Sequence, residues 1–158
     1  LGDVFLMFQD IYSLYFILGL LSFLTAHVLY TIIFRKTNRG FKPRPFTHAT
    51  GFLLIIYGIL LLTLLWPGLA GMKIPVALYT TVILAMALAA LYRKAEGSSL
   101  VLLGAILFVG SDSMLAMNKF SEPFTGARFW IMATYILAQF LITMGLINYF
   151  NPRTTEEG

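Results

Sequence analysis

Cysteine is absent from this 158-residue chain, which excludes disulfides and thiolate chemistry and leaves the redox compartment undetermined. With only two histidines besides, a zinc site lacks its usual nitrogen and sulfur ligands, which sets aside a zinc-dependent membrane amidase. There is no Gly-x-Ser-x-Gly nucleophile elbow, no serine with an evident histidine partner, and no glycine-rich phosphate loop. Charge is scarce too, at 11% of residues, where a soluble domain carries roughly a quarter. So little charge cannot cover a surface that faces water.

What the chain has instead is apolar length. Hydrophobic residues make up 59% of it, and the mean hydropathy is +0.84. Five runs, 12–34, 48–66, 74–92, 100–117 and 129–150, are long enough to cross a hydrocarbon core, which takes about 20 helical residues. Short connections carry turn residues: Lys42-Pro43-Arg44-Pro45, Pro67-Gly68, Glu96-Gly97-Ser98 and Glu122-Pro123. Tyr12, Tyr15, Trp66, Tyr92, Trp130 and Tyr149 stand near span ends, where amphipathic rings favour the membrane interface. The fold class is therefore all-α, a polytopic transmembrane helix bundle, with residues 1–158 forming a single transmembrane domain. Residues 1–8 read as the last two turns of a sixth span entered mid-helix, so the domain is expected to be N-terminally incomplete, with further helices upstream.

The net charge of +4 does not describe a nucleic-acid-binding surface. Five of the eleven basic residues, Arg35, Lys36, Arg39, Lys42 and Arg44, crowd one connection between apolar runs. Adding Arg93, Lys94 and Arg153 puts eight on one side of the membrane, against Lys73, Lys119 and Arg128 on the other. The positive-inside rule then places the C-terminus in the cytoplasm.

Against this apolar background the polar residues inside spans stand out. Asp112 lies well within its run, where a charged carboxylate costs about 2.5–3.5 kcal/mol on insertion scales, so the uncharged acid is favoured there. Such residues mark functional sites or bond a neighbouring helix as structural glue, and both readings stay open. Asp3 sits at nearly the same depth, as an intramembrane partner or as a helix-end carboxylate in water. Two carboxylates held close cannot both ionise easily, so one becomes an acid and the other a base. Lys119 follows Asp112 by two turns and either meets a lipid phosphate or snorkels to the interface. His27, Tyr79, Asn118 and the Tyr135–Gln139 face are further candidates, and a packing role for a lone buried histidine is the ordinary alternative. Asp10 reads as a loop or N-cap residue, and His48 as interfacial.

Two stretches resemble each other. Gly2-Asp3-Val4-Phe5-Leu6 can be laid on Ser111-Asp112-Ser113-Met114-Leu115, and Ala26-His27-Val28-Leu29 on Ala138-Gln139-Phe140-Leu141. The copies stand four spans apart and so point the same way, as in a parallel repeat about an axis along the membrane normal. The intact protein is then expected to have eight spans, four plus four, with both aspartates facing one cavity.

Those same segments resemble the YhhN-type lysoplasmalogenase family. The likeness rests on Gly2-Asp3-Val4-Phe5-Leu6-Met7, on Ala26-His27-Val28-Leu29-Tyr30, and above all on Ser111-Asp112-Ser113-Met114-Leu115-Ala116-Met117-Asn118-Lys119-Phe120. Pro75-Val76-Ala77-Leu78-Tyr79 and the run from Ile131 to Gln139 extend it over essentially the whole chain. The resemblance implies an integral membrane hydrolase that cleaves the vinyl-ether bond of lysoplasmalogens, giving a fatty aldehyde and glycerophosphocholine or glycerophosphoethanolamine. It implies Asp3 and Asp112 as the catalytic pair, with His27, Tyr79, Asn118, Lys119, Tyr135 and Gln139 binding substrate, and no metal or cofactor. The expected partners are the lysophospholipid substrate and membrane lipid, in a bacterial inner membrane or endoplasmic reticulum membrane. Two other classes fit the residues: a small transporter or lipid-handling protein binding protons or solute at buried aspartates, and a structural protein with buried polar glue.

Overall fold

A computed structural model describes residues 13–40 and 45–151. Among these residues the structure is helical, with no strand. The five long helices are α1 (Ser13–Lys36), α2 (Pro45–Leu65), α3 (Lys73–Leu91), α4 (Ser98–Phe120) and α5 (Ala127–Phe150). They match the five expected runs, with bounds that move by a few residues. The largest change is at α4, which runs past residue 117 to Phe120 and so takes Asn118 and Lys119 into its last helical turn. The segment expected to end a sixth span lies outside the described residues, as do Asp3 and Asp10.

Local sequence explains the punctuation. Within the long helices proline stands only where a helix tolerates it: Pro45 opens α2, and Pro75 lies in the first turn of α3. Pro67-Gly68 does not form an open turn. Two 3₁₀ turns, Trp66–Gly68 and Ala70–Met72, carry the chain directly from α2 to α3. Gly97 and Gly126, at φ of 71° and 77°, precede α4 and α5 in the left-handed region that glycine enters without steric cost.

The helices are apolar all round, and much of that surface stays outside. Even in Ser98–Phe120, the best covered span, only 39% of the most apolar stretch is buried. Phe52, Leu53, Leu60, Phe129, Ile136 and Phe140 all face outward. Lipid is the solvent that accepts such a surface, so packing between helices rests on shape and polar contacts.

Shape does most of its work between α4 and α5. A side chain at Gly104 would meet the Ala138 carbonyl at 2.8 Å, and one at Gly145 would lie 2.7 Å from the Gly97 carbonyl. The small residues recur seven apart on both antiparallel helices, so the backbones touch at two levels. The main core gathers here and toward α1 and α3, around Phe34, Met86, Ala87, Val101, Phe108 and Ile142. At the basic end Arg93 is buried and ties three helix ends together. Its Nε donates to Thr37 Oγ1 at 2.8 Å, its Nη1 to Ser98 Oγ at 3.2 Å, and its guanidinium lies 5.3 Å from the centre of the Tyr149 ring. The C-terminal ends of α1 and α5 meet there, and the negative ends of their dipoles favour a cation.

Candidate active site

Asp112 sits eight residues before the end of α4, about 12 Å below that end by helix rise. Its neighbours come from two other helices. The Tyr79 hydroxyl on α3 donates a hydrogen bond to Asp112 Oδ2. His27 on α1 places Nε2 4.0 Å from the same oxygen. With Oδ2 taken by Tyr79, Oδ1 is the carboxyl oxygen left without a hydrogen bond among the described residues.

His27 is fully buried, and neither ring nitrogen has a hydrogen-bond partner among the described residues. Aromatic edges hold the imidazole instead: Phe108 at 4.6 Å between ring centres and Tyr79 at 5.5 Å, both nearly perpendicular. A buried polar ring without partners is costly, and such groups gather where a ligand or water completes them.

Beside this cluster lies a cavity of about 60 Å³, enough for a few waters or a short piece of chain. Helices α1 to α4 line it. Its walls are mostly apolar, with Phe16, Leu20, Leu61 and Val76 among them, and its polar groups are Asp112, Tyr79, Thr80, Ser113 and Tyr57. Tyr57 donates to Ser113 Oγ at 2.8 Å, and Ser113 in turn donates to the Val109 carbonyl at 2.7 Å. Neither residue stands out as a candidate in the linear chain. Ser113 adjoins Asp112 in the motif and so was in plain view, whereas nothing in the pattern of α2 separates Tyr57 from an ordinary lipid-facing ring.

The other expected residues fall in different places. Tyr135 stacks edge-on behind Phe108 (5.4 Å) and Phe23 (5.6 Å), one ring away from His27 and off the cavity wall. Gln139 accepts a 2.5 Å hydrogen bond from the Tyr30 hydroxyl, joining α5 to α1. Asn118 is half-buried and does not line the cavity. Lys119 is exposed, its ammonium 5.4 Å from the centre of the Phe16 ring. His48 meets the Tyr92 hydroxyl at 3.1 Å, far along α2 from this cluster. Among the described residues no three His, Cys, Asp or Glu side chains converge as a metal-binding group.

A sequence profile of the YhhN family matches residues 1–146. Lysoplasmalogenase TMEM86A of Bos taurus is 34% identical over 96% of this chain and 63% of its own length. Lysoplasmalogenase TMEM86B of Homo sapiens is 37% identical over 88% of this chain and 57% of its own. A lysoplasmalogenase of Mycobacterium tuberculosis is 29% identical over 82% of this chain and 50% of its own. The chain thus spans less than two thirds of the length of these relatives. No solved structure matches it.

Proposed function

The chain belongs to the YhhN family, and from that premise we propose that the intact protein hydrolyses the vinyl-ether bond of lysoplasmalogens by carboxylate acid–base catalysis. Relatives that carry an enzyme's name support hydrolysis over solute transport. The observation that carries the chemistry is Asp112 at the polar wall of an otherwise apolar cavity, braced by Tyr79 with His27 beside it.

The reaction asks for this combination. An acid delivers a proton to the outer alkene carbon, and the adjoining carbon and ether oxygen share the resulting oxocarbenium charge. Water adds to that carbon as a base takes its proton, and the hemiacetal collapses to aldehyde and free glycerol hydroxyl. One water is consumed and the catalytic protons balance. Apolar walls give the hydrocarbon side of the ether a place to lie beside the carboxyl. In this reading Asp112 Oδ1 delivers the proton and Asp3 serves as its carboxylate partner. Inverting glycosidases divide the same work between two carboxyls with water between them.

Tyr79 and His27 orient Asp112 and the ether oxygen, while Tyr135 and Gln139 support the cluster from behind. Asn118 and Lys119 stand toward the head group. The basic connections and C-terminus face the cytoplasm, so the cavity opens toward the other side.

The test is aldehyde release from a lysoplasmalogen by the purified intact protein. Asp112→Asn, which keeps shape but loses the acid, is expected to lower kcat by about 10²–10⁴-fold, the usual worth of a positioned acid or base. Asp3→Asn is expected to do the same. Undiminished turnover in both variants removes the mechanism.

A further inference from the structure

Seven residues separate Asp112 from Lys119, two turns that bring both to one flank of α4 and set them roughly 10 Å apart along its axis. Lys119 stands at the outer end of the cavity. The Phe16 ring beneath its ammonium lines that cavity and packs edge-on against Phe120, another lining residue, at 5.6 Å. Among the described residues no carboxylate lies within ion-pair distance of Lys119, and the one carboxyl with a basic side chain that close is Asp112, beside His27. A cation thus stands over an aromatic rim, without a counter-charge among the described residues, about two turns along α4 from the carboxyl.

Resting on the hydrolase reading, we propose that Lys119 holds the phosphate of the substrate head group and so sets the distance at which the site reads the ether. In a lysoplasmalogen six single bonds separate the oxygen-bearing vinyl carbon from phosphorus, about 8 Å when extended, from bonds of ~1.5 Å each. That span fits between the Asp112 carboxyl and an ammonium on a flexible four-carbon stem. The first carbons of the alkenyl chain then lie past Asp112, along Ile83, Leu84 and Val109, which line the deeper end of the same cavity. Lysine suits the task as a compact point charge whose stem swings to meet a phosphate. The site therefore selects ethers that carry a phosphate one glycerol unit away, and discriminates against the uncharged 1-alkenylglycerol that lacks it. Lys73 is not equivalent: its ammonium lies 5.2 Å from the centre of the Trp66 ring, which does not line the cavity.

Steady-state aldehyde release by the intact protein decides the matter, with alkenylglycerophosphocholine and 1-alkenylglycerol as paired substrates. Lys119→Met is expected to raise KM for the phosphate-bearing substrate about tenfold with kcat nearly unchanged, and to leave the neutral substrate as it was. Lys119→Arg is expected to restore most of the loss, and Lys73→Met to change neither substrate. Unchanged KM in Lys119→Met, or an equal loss on both substrates, overturns the phosphate role while leaving the hydrolase reading intact. A wild-type protein that releases aldehyde from neither substrate overturns the hydrolase reading and this proposal with it.

Discussion

At the scale of the residue, Asp112 draws its character from what meets it. The carboxyl is 12% exposed, and one of its oxygens accepts the Tyr79 hydroxyl. That bond braces the carboxyl and leaves its other oxygen without a hydrogen bond among the described residues. Tyr79→Phe removes one hydroxyl and keeps the ring that packs against His27. We expect kcat to fall by about tenfold, within the ~1–3 kcal/mol range for a lost buried hydrogen bond, with KM little altered. Unchanged kcat with a correctly folded variant, judged by thermal unfolding in detergent, argues that Tyr79 is packing alone. Asp112 and Tyr79 were both legible as candidates in the sequence, because a polar group among lipid-facing residues has few innocent explanations. Tyr57 was not, since a tyrosine on an apolar helix reads equally well as an interfacial anchor.

At the scale of the element, the α4–α5 pair governs where the Asp112 face points. Its contact depends on the absence of side chains at Gly97, Gly104 and Gly145, where backbone approaches backbone. Replacing Gly145 by leucine forces the helices apart at the Gly97 and Val101 level. The expected cost is about 1–3 kcal/mol, the range for overpacking a filled interior, seen as a lower unfolding temperature in detergent. Activity is expected to fall with it, because Phe108 on α4 holds both His27 and Tyr135. A Gly145→Leu variant that unfolds at the wild-type temperature contradicts this account of the pair. Glycines at these sites look unremarkable in a linear chain. The seven-residue spacings of Gly97 with Gly104 and of Ala138 with Gly145 acquire meaning once two helices are known to be partners.

At the scale of the whole molecule, the asymmetry of charge predicts a direction through the membrane. Eight of the eleven basic residues belong to one side, including the connection after α1. The absence of cysteine makes this side testable by single-cysteine labelling. Asn151→Cys, just past α5, is expected to react with a membrane-impermeant reagent only after cells are permeabilised. Phe124→Cys, in the connection between α4 and α5, is expected to react in intact cells. The reverse pattern inverts the topology and moves the cavity's outer end to the cytoplasm.

The sequence by itself determined the five spans, since crossing a bilayer requires only a run of sufficient length and hydropathy, and both are properties of consecutive residues. It also marked Asp112, because one misplaced charge is visible without knowing its neighbours. Tertiary structure alone decided that Tyr79 and His27 converge on Asp112, that Tyr57 and Ser113 share its cavity, and that Gln139 bonds Tyr30. The reason is physical. Helices apolar on every side carry no periodic stripe to announce which face turns inward, so their rotation is set by close contacts between small residues and a few hydrogen bonds. Those contacts exist only when the helices stand beside one another.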